Sequence, residues 1–414
     1  MLKNFRAVDS YTKNIAIVFF GSFLGSFLNL LCQLLVAHKL IPEDFAAFNS
    51  LLAIYILASS PLATLQTALA KYVAEFNSRG ETDKVKALLS GFLKHVTLFS
   101  LVILLVSYFA FTPMMLSLKI GSSLAGYILI GMLALSWFTP VAIGGLQGLE
   151  LFKWFSASSI VSGIVKLLLT FIFIIWGYNI SGALGAFLIS VFCSIGISYI
   201  PLRRLFSLEK IRASINYQEI YQYLFPIAIS IFCFNGLFNI DMILVRYFFS
   251  TQDSGIYSLA QMVGKIFLFL PSAISVVLLP RTSHLSAKKI NTLSVLNRSI
   301  LCGAILCLIA VVTYNLFPGF MLKILTGKAL PEAILLGRLF SISMSFFALL
   351  FILITYFLSK KDLRFIKYLV IFTLAQAGAI VLFHRTLVGV QIILCVNAVL
   401  LFTLSLRLAY NERH

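Results

Sequence analysis

Apolar residues gather in twelve runs, beginning near Ile15, Asn49, Ser90, Ser123, Phe155, Ser181, Tyr223, Gly255, Thr292, Pro331, Phe365 and Thr386. Each approaches the roughly 20 residues that a helix needs to cross a bilayer. The polar connectors between them are short, the longest being Tyr72 to Leu89 and Arg203 to Tyr221. Neither is long enough to fold as a catalytic domain of its own. The first run passes directly into others of the same kind, so it reads as a span and not as a cleaved leader. The pattern predicts an all-α integral membrane protein of about 12 transmembrane helices, with its function among the helices.

Composition agrees. Of 414 residues, 60% are hydrophobic and 11% are charged, against about 25% charged in soluble domains. The formal net charge of +18 invites a nucleic-acid partner, but its distribution argues for topology instead. With a cytoplasmic N-terminus, 23 of the 32 Lys and Arg fall in the even loops and both tails, and six in the opposite loops. That bias is the positive-inside signature of cytoplasmic termini at both ends, in a multi-pass protein of the cytoplasmic (inner) membrane. No nucleic acid is implied. The six cysteines (Cys32, Cys193, Cys233, Cys302, Cys307, Cys395) all lie in apolar runs without metal-ligand spacing; they read as small buried hydrophobes.

The chain repeats itself at an offset of 209, where "LVAHKLIPEDFAAF" (Leu35 to Phe48) lies on "LVRYFFSTQDSGIY" (Leu244 to Tyr257). Six runs per half is an even number, so both halves enter from one face. Lobes of 1–205 and 206–414, related by a pseudo-two-fold axis along the membrane normal, are expected, with a site between them.

Polar positions recur at helical spacing inside several runs: Ser22, Ser26, Asn29 and Gln33; Ser60, Thr64, Thr67 and Lys71; Ser159, Ser162, Lys166 and Thr170; Tyr257, Gln261, Lys265 and Ser272; Arg338, Ser341 and Ser345. In hydrocarbon such side chains must face protein or water. Helix–helix glue accounts for many Ser and Thr, and Gly21 and Gly25 read as packing. Three cations remain inside runs: Lys166, Lys265 and Arg338. Lys166 lies about 15 Å into its span at 1.5 Å per residue, too deep to snorkel readily. Asp241 is the one acid clearly inside a run. Lys265 on the next run is its expected ion-pair partner and Arg246 a second. The pair is either static or a gate or coupling site that opens during transport. Asn235 and Asn239 share a different face and read as packing.

The segments "KLIPEDFAAF", "LAKYVAEFNSRGE", "GGLQGLELF", "NIDMILVRYFFSTQDSGIYSLAQMVGKI", "LLPRTS" and "LFPGFMLKILTGKALPEA" run in order across nearly the whole chain. By them it resembles the multidrug/oligosaccharidyl-lipid/polysaccharide exporter superfamily, and within it the polysaccharide-transport and O-antigen flippase branch. Ala46 departs from the pattern, standing where relatives often carry the glycine seen here at Gly255. The resemblance implies two six-helix lobes in a V that alternates between inward-open and outward-open states. It also implies a lipid-linked oligosaccharide of the undecaprenyl-pyrophosphate type as substrate, with a polysaccharide polymerase and glycosyltransferases of the same pathway as partners, and lipopolysaccharide or another surface glycan as the end product.

Lysine and arginine can compensate phosphate charge in a low-dielectric cleft. Lys166, Lys265 and Arg338 are therefore the expected head-group contacts, and Asn29, Gln33 and Gln66 line the sugar path. Asp241 and Arg246 are the gating or coupling candidates. No nucleotide motif, metal site or cofactor is indicated. Three rival readings stand beside this one. A multidrug or toxin extruder on the same architecture would favour intramembrane acids. An enzyme on the same lipid-linked sugar would need a base or metal-binding acids near the external face, where Glu43, Asp44 and His38 lie. A non-transporting scaffold would have no use for polar stripes in at least five spans.

Overall fold

A computed structural model describes residues 2–206, 215–269, 292–360 and 362–411, with isolated positions at 271, 274, 278 and 282, and side chains from residue 17 onward. Ser272 and most of "LLPRTS" lie outside the described residues. The described chain is helical: α1 (Leu2–Lys39), α2 (Pro42–Ser78), α3 (Thr82–Ser117), α4 (Ser123–Ser136), α5 (Thr139–Gly148), α6 (Phe152–Ile175), α7 (Asn179–Phe206), α8 (Tyr217–Leu237), α9 (Ile240–Phe248), α10 (Thr251–Phe269), α11 (Leu293–Leu316), α12 (Pro318–Thr326), α13 (Pro331–Ser359), α14 (Phe365–Phe383) and α15 (Leu387–Tyr410). Among the described residues eleven spans are long and apolar enough to cross a membrane, with α4 and α5 together forming one of them. The eighth expected run begins in α10 and passes into residues outside those described.

Local chemistry sets the helix ends. Pro42, Pro318 and Pro331 open α2, α12 and α13, where a missing N–H costs nothing. Ser122 caps α4 by accepting from Ala125 N, and Thr386 caps α15 by accepting from Gly389 N. Ser250 and Asp253 make a reciprocal cap at the start of α10, with Asp253 N donating to Ser250 Oγ at 3.1 Å and Ser250 Oγ to Asp253 Oδ2 at 2.6 Å. Gly327 closes α12 at φ 73°, a left-handed conformation that favours glycine.

Contacts divide the chain into two compact units. The first comprises Met1–Leu40 and Ile54–Ile231, the second Ile41–Ala53 and Phe232–His414. The division therefore departs from the repeat boundary at 205/206, because α2 and α8 each contribute to both units.

In the first unit, α6 packs along α1 and α7. A Cβ at Gly21 or Gly25 would collide with Ser156 or Ser159, and one at Gly163 would stand 2.9 Å from Leu28 Cβ. The small residues of α1 and α6 thus close a seam, as the Gly21/Gly25 spacing predicts. In the second unit α13 is the central helix, packed by α10 and α15 and buried along most of its length.

The repeat is visible in the elements. Lys39 and Phe248 end one helix of each copy, Pro42 and Thr251 begin the next, and both pairs are 209 positions apart. Asn49 and Ser258 are counterparts at that separation, and Asn49 Nδ2 donates to Ser258 Oγ at 2.8 Å within the second unit. Gly255 is required there: a Cβ would come within 2.9 Å of the Pro42 backbone. Its counterpart Ala46 carries a Cβ in a fully buried place.

Candidate functional site

Two polar clusters stand inside apolar surroundings, one in each unit. The first is built on α1 and α6. Ser26 and Asn29 from α1, Gln66 from α2, and Ser158, Ser162 and Lys166 from α6 line a cavity of about 360 Å³. The seam of small residues brings α1 and α6 close enough for Lys166 Nζ to donate to Asn29 Oδ1 at 2.9 Å. The ammonium also lies 4.4 Å from the centre of the Phe187 ring, a cation–π distance. No carboxylate lines the cavity, and among the described residues none pairs with Lys166. The cation is held by a neutral amide and a ring face, so its charge is oriented but not cancelled. One turn further along both helices Cys32 Sγ and Thr170 Oγ1 share a hydrogen bond of 3.3 Å between α1 and α6.

Of the residues expected at this site, Lys166, Asn29 and Gln66 come together. Gln33 is half-buried one turn further along α1, outside the lining. Gln147 was missed: Gln66 Nε2 donates to its Oε1 at 3.1 Å and is thereby oriented. The only sequence signal for it was the "GGLQGLELF" segment. Ser158 and Ser194 line the same cavity as well: Ser158, four positions before Ser162 and eight before Lys166, shares their face of α6, while Ser194 comes from α7.

The second cluster surrounds Asp241, and its origin is a broken helix. The seventh expected run is two helices, α8 and α9, interrupted at Phe238 and Asn239. A break inside hydrocarbon frees backbone groups that neighbours must satisfy. Gln376 Nε2 donates to Leu237 O at 2.8 Å, Gln261 Nε2 to Phe238 O at 3.4 Å, and Thr373 Oγ1 to Cys233 O at 3.2 Å. Asn397 Nδ2 in turn holds Gln376 Oε1 at 2.8 Å. The break puts Asp241 in the first turn of α9, where exposed N–H groups and the helix dipole favour a negative charge. Tyr257 donates its hydroxyl to Asp241 Oδ2 at 2.8 Å, and Gln261 Nε2 reaches both carboxylate oxygens at 3.1 and 3.2 Å. Asp241 is 0% exposed.

This corrects the expected ion pair. Lys265 is within electrostatic reach of Asp241 but forms no ion pair with it among the described residues. Tyr257, Gln261 and Lys265 follow one another at i, i+4 and i+8 on α10, and the break brings Asp241 level with the first two. Lys265, one turn further on, is left half-buried. Arg246 is not a partner either. It lies at the last turn of α9, 3% exposed, within electrostatic reach of Glu43 and Asp44 in the first turn of α2. Both helix ends carry the charge sign their dipoles favour. Asn239 serves local structure, donating to Asn235 O at 2.9 Å. Arg338 is exposed on α13, with Tyr314 as its electrostatic neighbour. Ser341 and Ser345 bond back to carbonyls of their own helix.

Comparison with known proteins defines the class of this multi-pass helical bundle. The chain is similar to a multidrug-resistance transporter of the multidrug and toxic compound extrusion type in an inward-facing conformation, with a TM-score of 0.76 and 16% identity over 94% of this chain and 95% of that one. It is also similar to the lipid II flippase in an inward closed conformation, with a TM-score of 0.71 and 15% identity over 96% of this chain and 87% of the other. The protein has the fold of the multidrug/oligosaccharidyl-lipid/polysaccharide exporter superfamily. Residues 11–286 match the model of the polysaccharide biosynthesis protein family, and the chain belongs to that family. An uncharacterised membrane protein of Methanocaldococcus jannaschii is 30% identical over 224 residues, 50% of this chain. The match spans about half of that relative's length, 52%.

Proposed function

We propose that this transporter is a flippase. It turns a lipid-linked oligosaccharide of the undecaprenyl-pyrophosphate type from the cytoplasmic to the external leaflet of the cytoplasmic membrane, for a surface polysaccharide such as O-antigen. The observation that carries this reading is Lys166, a cation at membrane depth in a cavity whose lining offers hydroxyls and amides but no acid. Such a lining suits an anionic, hydroxyl-rich head group. Lys166 compensates phosphate charge, while Asn29, Gln66 and the serines bond sugar hydroxyls. Lys265, Arg338 and Gln33 meet the cargo at other stages of its passage. Asp241, already at a helix break, takes up and releases the coupling proton or cation, and Arg246 gates the turn beside α2. Both termini are cytoplasmic, lobes 1–205 and 206–414 alternate access, and the polymerase and glycosyltransferases of the pathway work alongside.

A cationic drug as cargo is disfavoured because no acid lines that cavity and Asp241, in the other unit, is enclosed by Tyr257 and Gln261. The test is reconstitution in liposomes with a fluorescent undecaprenyl-diphosphate oligosaccharide, reading its accessibility to a membrane-impermeant quencher. Wild-type protein should scramble or pump the lipid, and Lys166→Ala should slow it at equal protein level. Transport of a cationic dye with no movement of the lipid would overturn the reading.

A further inference from the structure

Helix α1 presents three distinct faces. Gly21, Gly25, Leu28 and Cys32 lie on the side that meets α6. At 100° per residue, Ser22, Ser26 and Asn29 lie about a quarter-turn further round, and Ser26 and Asn29 line the Lys166 cavity. Another quarter-turn on, Phe19, Phe23 and Phe27 are 71%, 61% and 47% exposed. Their rings stack, with centroids 6.4 and 6.5 Å apart and planes tilted by only 13° and 6°. At 1.5 Å per residue the ladder rises about 12 Å through the membrane. It borders the polar stripe on the side opposite the α6 seam.

We infer that this phenylalanine ladder is the track for the polyisoprenoid tail of the cargo. The inference rests on the lipid-linked substrate proposed above. A head group held by Lys166 and Asn29 sits on a stripe that α6 bounds on one side and the ladder bounds on the other. Its chemistry fits one lipid class better than the bulk bilayer. Each isoprene unit carries a double bond and a methyl branch. Aligned aromatic faces offer that double bond a π contact, and the gaps between rings receive the methyl groups. A saturated acyl chain has neither feature, so the ladder distinguishes the cargo's tail from ordinary lipid.

The test uses the full chain in nanodiscs with three diazirine-bearing lipids: an undecaprenyl diphosphate, the headless undecaprenol, and a saturated phospholipid. Crosslinks are mapped by mass spectrometry. Both prenyl probes should label the segment 17–30 at least about fivefold more than the saturated lipid does. The triple variant F19L/F23L/F27L, which keeps apolarity and helix propensity, should bring that ratio near one while melting as the wild type does. Equal labelling by prenyl and saturated probes, or an excess that survives the triple variant, would overturn the ladder. Labelling of 17–30 by the headless probe and not by the diphosphate would uphold the ladder and remove the head-group reading instead.

Discussion

The Lys166 and Asp241 clusters each set one charge among apolar helices, one in each unit, and they treat it in opposite ways. Lys166 is oriented by one amide and one ring and borders a cavity of about 360 Å³. Asp241 is fully enclosed, with hydroxyl, amide and helix N-terminus all directed at its carboxylate. A charge left partly unsatisfied beside space is available to a ligand. A charge saturated by its own protein is part of the fold until something displaces its donors. The difference shows why buried charge alone does not mark a binding site: the lining must have capacity to spare.

Substitutions should separate the two. The largest effect on stability is expected for Asp241→Ala, which strands two donors in a sealed place. At about 1–3 kcal/mol for each buried group left unsatisfied, it should lower the melting temperature of the purified protein by many degrees, whereas Asp241→Asn should lower it much less. If Asp241→Ala melted like wild type, the cluster would not be structural. The complementary result is expected at Lys166. Lys166→Ala should leave melting almost unchanged but weaken head-group affinity by about 30-fold, the effect of ~2 kcal/mol lost with one partner of a charge pair. A large loss of stability there would erase the contrast.

Next in size is Gly25→Ala, whose Cβ would meet Ser159. Overpacking of this kind costs about 1–3 kcal/mol, and by spreading α1 from α6 it should break the Lys166–Asn29 bond. Transport should fall further than stability does. Gln147→Ala is the mildest: it frees Gln66 from a hydrogen bond worth about 1 kcal/mol and should slow transport severalfold at most. An effect as large as that of Lys166→Ala would make Gln147 a direct ligand.

The spans, the repeat and the stripes were readable because a helical period and an apolar run are local properties. Lys166 and Asn29 each stood out on such stripes, yet their pairing joins positions 137 apart in sequence, which no period encodes. The Asp241 misassignment has a different cause. "GLFNID" contains no proline, so the run reads as one continuous helix. The break is accommodated because Gln376, 139 positions away, and Gln261 are placed to donate to the freed carbonyls of Leu237 and Phe238. An uninterrupted helix leaves Lys265 as the natural partner; the break shifts that role to Tyr257 and Gln261. Gln147 was unreadable because its role is to hold Gln66, a relation between helices and not a pattern along one.

The central claim is that the Lys166 cavity receives an anionic head group, and equilibrium binding tests it most directly. Affinity for undecaprenyl diphosphate would be measured in nanodiscs for wild type, Lys166→Arg and Lys166→Ala, at low and high salt and with a cationic dye as competitor. The account predicts binding that weakens with salt, survives the arginine variant, falls about 30-fold in the alanine variant and ignores the dye. Equal affinity in all three proteins, or displacement of the lipid by the dye, would contradict it.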